Sequence, residues 1–193
     1  MTRIYFVRHA EPDRSVHDDR TRPLTEEGLR DSLEVTRVLK NKNVDVIISS
    51  PYKRSMDTIG DLAKTLGKEI LTDDDFRERN AGGWHGDNFL EYIKNQWADF
   101  NYHIKDGESL NEVQERNVRA LKKVLSSYKD KNVVIATHGT ALSTILNYYY
   151  PQYDFECFMK IVDFMPFVIR LDFEGEDIIG AQVELVIRKE FKR

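Results

Sequence analysis

The feature that most constrains this chain is a regular alternation of short apolar runs, rich in β-branched residues, with longer stretches of helical spacing. The runs lie at 4–7, 44–48, 133–136, 167–173 and 178–187, with a weaker one at 69–71. Such short runs, bounded by charged and turn residues, read as strands. Among the intervening stretches, Leu110, Val113, Leu121, Val124, Leu125 and Tyr128 recur near a 3.6-residue period and outline one apolar helix face. Strands and helices in alternation make a sheet covered on both faces, with right-handed crossovers between parallel neighbours. The last two runs flank Gly175 and read as a hairpin. The expected fold class is therefore α/β, a three-layer α/β/α arrangement around a mostly parallel, mixed sheet.

Helix starts are legible. Ser109 followed by Glu112 has capping-box spacing, in which each side chain satisfies the other's backbone N–H. Ser50 before Pro51 reads as an N-cap followed by proline at the first helical position, opening a helix near 52–66. Thr25 caps another expected helix, running through Leu29, Leu33, Val38 and Leu39 to the region of Asn41. The last expected helix occupies 140–149 and stops before Pro151. Residues 84–107 break the alternation. With Trp84, Phe89, Tyr92, Trp97, Phe100 and Tyr102, this segment reads as a small helical and aromatic insertion over one end of the sheet, whose aromatics pack a helix or contact substrate. The length of 193 residues and the lack of internal repeats suit one domain over 1–193.

Charge and composition exclude several classes. There are 29 Lys and Arg against 33 Asp and Glu, a net charge of −4, which disfavours sequence-blind nucleic-acid binding through a basic face. No stretch approaches the ~20 apolar residues that span a bilayer, and the run after Met1 is too short for a secretory signal. A single cysteine, Cys157, rules out an internal disulfide. The expectation is a soluble cytoplasmic protein without nucleic-acid or membrane partners; the oligomeric state is not legible. No Gly-rich phosphate loop of the NTPase type occurs.

In open α/β sheets, ligands bind beyond the carboxyl ends of the strands. There the sequence places Arg8 and His9 after the first run, Ser49, Ser50, Pro51 and Arg54 after the second, and His138 and Gly139 after the run at 133–137. Two arginines and two histidines thus converge on one edge. Guanidinium forks pair with tetrahedral oxyanions, and helix starts near Ser50 and Gly139 would add N–H donors for a phosphate. A neutral imidazole there can act as nucleophile on phosphorus. The leaving alkoxide needs a proton, for which Glu78 is the candidate, flanked by Arg77 and Arg79. The plainer alternative for that flank is a surface ion-pair cluster.

Val7-Arg8-His9, Ser49-Ser50-Pro51 with Arg54 and Thr58, the Glu78 segment ending Gly83-Trp84-His85-Gly86, Gly107-Glu108-Ser109 and Thr137-His138-Gly139 together resemble the histidine phosphatase superfamily, also called phosphoglycerate mutase-like. The resemblance extends from Arg3 to about Phe173. It implies that His9 becomes phosphorylated, that Arg8, Arg54 and His138 hold the phosphoryl group, that Glu78 donates the proton, and that no metal or other cofactor takes part. The chain departs from the family pattern at Ala10, where glycine is usual, at His85 in the Trp-Glu-Gly block, and at Pro12 and Ser15 after the first block. Leu24-Thr25 with Gly28 matches a further family pattern and is read here as a helix start.

The reading is a phosphatase acting on a small phosphomonoester or a phosphoprotein. A mutase that returns the phosphoryl group to its substrate, and a non-catalytic phospho-ligand module suggested by Ala10 and His85, remain alternatives. His17-Asp18-Asp19 reads as a solvated turn rather than a metal site. His85 either lines the pocket or caps a loop, and His103 with Lys105 is expected to be exposed. The charged residues of the 116–131 region read as the wet face of a helix.

Overall fold

A computed structural model describes residues 1–83 and 88–189. Six strands form one sheet: β1 (Thr2–Arg8), β2 (Val46–Ser49), β3 (Ile70–Thr72), β4 (Asn132–Thr137), β5 (Phe164–Glu174) and β6 (Asp177–Arg188), in the order β3-β2-β4-β1-β5-β6. The first four positions in that order pair in parallel, whereas β5 pairs antiparallel with both β1 and β6. The expected runs became these strands. Gly175 at φ +63° turns the closing hairpin in a conformation that suits glycine.

The central strands are apolar on both faces because helices cover both. Ile4 and Phe6 of β1 and Val133 and Ile135 of β4 pack with α4 (Leu110–Ser127) and α5 (Gly139–Tyr149). The alternate residues Tyr5, Val7, Val134 and Ala136 pack with α1 (Glu26–Leu39) and α2 (Lys53–Leu66). Successive side chains of a strand point to opposite faces, so each run feeds two cores.

Thr25 caps α1 by accepting the Gly28 N–H at 2.9 Å, and Ser109 with Glu112 forms the complete capping box of α4. Ser50 departs from expectation. Helix α2 begins at Lys53, no side chain caps it, and Ser50 Oγ turns inward, accepting the Tyr52 N–H at 3.3 Å. A further short helix, α6 (Phe155–Ile161), follows Pro151 and is capped by Asp154. Sequence reading stops short of it because seven residues carry too little periodicity.

The aromatic segment is pinched off by a bridge between Ala81 and Gly107 and carries α3 (Phe89–Ala98). Trp97 stacks on Phe158 of α6 at 5.6 Å and lies near Tyr153, so α3 leans on α6 beside the sheet's carboxyl edge. Trp84, His85 and Gly86 lie outside the described residues.

Candidate active site

The parallel register builds the site. Arg8 of β1 faces Thr137 of β4, so the next residues, His9 and His138, emerge side by side, with ring centroids 5.2 Å apart. The ladder runs one step further through His9 N–H to the Thr137 carbonyl at 3.2 Å and Ser50 N–H to the Ala136 carbonyl at 2.9 Å. Ser50 thereby arrives with its Oγ 2.8 Å from His138 Nε2.

His9 is buried, and its Nδ1 lies 2.7 Å from the Ala10 carbonyl oxygen. A carbonyl only accepts, so Nδ1 carries the proton and Nε2 keeps its lone pair. Burial first, then the charges of Arg54 and Arg8, hold the His9 pKa well below its ordinary value. His138 is fully buried and shifted the same way by burial, then by Arg54 and His9. It does not line the cavity beside His9, and its Nδ1 has no partner among the described residues. Ala10, buried, donates its N–H to Thr58 Oγ1 at 2.9 Å and needs no left-handed backbone, which is why alanine is accommodated there.

Two arginines are fixed from opposite sides. Arg8 donates Nη1 to the carbonyls of Ile161, at the end of α6, and of Phe164. Its burial lowers the guanidinium pKa to about 10, still cationic at neutral pH. Arg54 donates Nη1 to the Asp19 carbonyl at 2.5 Å and lies 3.2 Å from the Asp19 carboxylate. The 17–19 segment, read as a solvated turn, thus forms a wall of the cavity and anchors Arg54. Among the described residues no three metal-binding side chains cluster. His103 is exposed, as expected.

Glu78 sits at the N-terminus of α5. Its carboxylate accepts N–H bonds from Arg79 at 2.8 Å and from Thr140 and Ala141 at 3.1 Å each. The start of α5, expected to serve a phosphate, gives these two donors to Glu78 instead. The guanidinium groups of Arg77 and Arg79 donate to Glu108 and Gln96 respectively.

Arg116 corrects the wet-face reading of its helix. It is 5% exposed. It grips both Glu108 oxygens at 2.8 and 3.0 Å, and donates to the carbonyls of Asp75, Arg77 and Glu78. The loop that carries Glu78 is therefore tied to α4 through one guanidinium.

All five candidate residues gather at this edge: Arg8, His9, Arg54 and Glu78 line a cavity of about 660 Å³, and His138 lies directly behind His9. The same wall includes Arg14, Arg22 and Arg79, which sequence reading did not assign to the site. Apolar side chains, among them Phe89, Phe158 and Met165, also line it. A rigid neutral imidazole with a free lone pair, flanked by guanidinium groups and a carboxyl, can take up and release a phosphoryl group.

Comparison with known proteins identifies the family. Residues 4–173 match the family described as the histidine phosphatase superfamily (branch 1). The chain is 32% identical over 150 residues to the "Uncharacterized phosphatase PhoE" of Bacillus subtilis, with 76% of each chain covered. It is 29% identical over 158 residues to the "Putative phosphoserine phosphatase 2" of Hydrogenobacter thermophilus, covering 76% of this chain and 77% of that one. The fold is similar to that of a phosphoserine phosphatase from Entamoeba histolytica solved with 3-phosphoglyceric acid, with a TM-score of 0.80 at 21% identity, covering 96% of this chain and 98% of that one.

Proposed function

Since the chain belongs to the histidine phosphatase superfamily, as the match over 4–173 shows, we propose that it hydrolyses phosphomonoesters by way of a phosphohistidine on His9, without a metal ion. The observation that carries this reading is the locked His9 ring: Nδ1 is committed to the Ala10 carbonyl, and Nε2 is left as a neutral nucleophile beside Arg8 and Arg54.

In the proposed cycle His9 Nε2 attacks phosphorus in line as the P–O bond to the alcohol breaks. The departing oxygen takes the carboxyl proton of Glu78 and leaves as the alcohol. Arg8 and Arg54 balance charge on the phosphoryl oxygens. Ser50, donating to His138 Nε2, makes Nδ1 the N–H-bearing atom of that buried ring, which backs His9 rather than lining the cavity. Water then attacks phosphorus and yields a proton to Glu78, which restores His9 and releases inorganic phosphate. Fixed charges and dipoles aimed at the transferring group supply most of the rate enhancement.

The test is phosphate release over a panel of monoesters with EDTA present, beside the His9→Ala variant and acid-quenched trapping of the labelled enzyme. The proposal expects chelator-insensitive turnover, an acid-labile label on the wild type, and neither label nor turnover in the variant. Loss of activity to chelator, or an active His9→Ala enzyme, overturns it. Interconversion of monophosphoglycerates faster than phosphate release would replace the phosphatase with a mutase.

A further inference from the structure

A carboxylate stands in the wall of a cavity suited to an anion. Asp19 lines the same cavity as Arg8, His9 and Arg54, and a negative charge there repels a phosphoryl group. It is bound on two sides. Its backbone carbonyl accepts Arg54 Nη1 at 2.5 Å and its Oδ1 lies 3.2 Å from the same nitrogen, while Arg22 Nη1 reaches that Oδ1 at 3.0 Å. Among the described residues Asp19 is the only acid paired with Arg54.

These contacts fix the direction of the Arg54 guanidinium. The Arg54 side chain is 3% exposed, and a buried guanidinium without a counter-ion is strongly disfavoured. Among the described residues Nη1 is its one nitrogen that donates to protein, so Asp19 holds one corner of the fork and leaves the rest to the cavity that Arg54 lines. The Tyr52 ring, its centre 5.1 Å from the guanidinium, packs beside it. Asp19 is in turn kept in place by its own loop. Arg22 donates Nε to the Val16 carbonyl at 2.7 Å and Nη2 to the His17 carbonyl at 3.0 Å. The loop is also stitched to the start of α2, where the Lys53 N–H bonds the Arg20 carbonyl at 2.9 Å. Arg22, Asp19 and Arg54 thus form a line of contacts that ends on the arginine whose charge bears most on His9.

We propose that Asp19 is a positioning residue for phosphoryl transfer: it aims the Arg54 guanidinium at the phosphoryl oxygens, and Arg22 holds Asp19 in place to do so. This rests on the phosphatase reading and deepens it. Repulsion between Asp19 and a bound phosphate weakens binding of substrate and product. A preset Arg54 favours the transition state, where charge on the transferring group is met without reorganisation. Loss of the repulsion therefore shows in KM and in phosphate affinity, and loss of the aim shows in kcat.

The experiment separates these effects. Asp19→Ala removes the carboxylate and leaves the backbone carbonyl, whereas Asp19→Asn keeps an oxygen that can accept from Arg54 but no charge. Steady-state phosphate release from one monoester should give a kcat lower by about 10- to 100-fold in Asp19→Ala, with KM unchanged or lower, and a smaller loss in Asp19→Asn. Orthovanadate, which adopts the five-coordinate geometry of the transferring phosphorus, should lose affinity as an inhibitor of Asp19→Ala while inorganic phosphate does not. In an Arg54→Ala background, Asp19→Ala should lower kcat/KM by less than about twofold further, because the group it aims is gone. A lower KM with unchanged kcat in both variants would make Asp19 a repelling charge and nothing more, and overturns the proposal. So does an undiminished loss on top of Arg54→Ala, the mark of a general structural role. Where Asp19→Ala fails to fold, Asp19→Asn carries the same cycle. If the wild type hydrolyses no monoester, the phosphatase reading fails, and calorimetry with orthovanadate and inorganic phosphate decides the role of Asp19: a wild-type preference for orthovanadate that the variants lose keeps it, and equal change for both anions overturns it.

Discussion

Replacing Glu78 with glutamine separates two duties that the structure assigns to one carboxyl. Its Oε1 accepts from both Arg79 and Ala141 N–H, and its Oε2 from Thr140 N–H. The amide of Glu78→Gln must put its NH2 against one of these donors, and the Oε2 position costs fewer bonds. One charge-assisted hydrogen bond is then lost and the negative charge at the start of α5 disappears. Discounted for a side chain that is only half-buried, this amounts to about 1–3 kcal/mol of stability. The chemical consequence is larger. Without the proton donor, kcat on an alkyl monoester should fall by about 10²–10⁴, the usual contribution of a general acid. On p-nitrophenyl phosphate, whose phenolate leaves without a proton, the loss should stay below about tenfold. The assay is steady-state phosphate release from both esters, run below the melting transition of the variant, with denaturant unfolding alongside. If both substrates lose the same factor, Glu78 serves to hold α5 and the proton-donor assignment is wrong.

Arg116→Met leaves Glu108 and the carbonyls of Asp75, Arg77 and Glu78 without their shared partner, and should cost about 3–5 kcal/mol by urea unfolding; a loss under about 1 kcal/mol would restore the solvated-face reading. Gly28→Ala would bring a Cβ to 2.3 Å from the Glu11 carbonyl oxygen, so thermal melting should report about 1–3 kcal/mol of destabilisation, and an unchanged Tm would contradict that contact. His9 and His138 are held neutral in the fold, by burial first and by neighbouring arginine charge second. Unfolded histidine titrates near ~6.5, so the unfolded chain gains protons that the fold excludes as pH drops below that value, and stability declines by up to about 1.4 kcal/mol per pH unit for each ring. Above ~6.5 this contribution to the pH dependence vanishes. Melting series from pH 7.5 to 5 should therefore be steeper for the wild type than for a His9→Asn, His138→Asn double variant, and parallel slopes would show that these rings are not the cause.

The strands, the caps at Thr25 and Ser109, and the delivery of Arg8, His9, Arg54 and His138 to one sheet edge were readable because each depends on neighbours within a few positions: an apolar run, a hydroxyl three residues ahead of its N–H, a polar residue just past a strand. Ser50, Arg116 and Arg79 were not readable in that way. By local spacing Ser50 is a helix cap and Arg116 belongs to a solvated face, yet one bonds His138 and the other secures the Glu78 loop. Their partners, from 8 to 88 positions away, lie on loops and elements whose placement is set by sheet order and helix packing rather than by local spacing. The amino-acid order by itself determined which segments are strand or helix and which charged groups stand at strand ends. The tertiary structure alone decided which of those charges are buried and what they face, because desolvation and pairing depend on distance through space rather than along the chain.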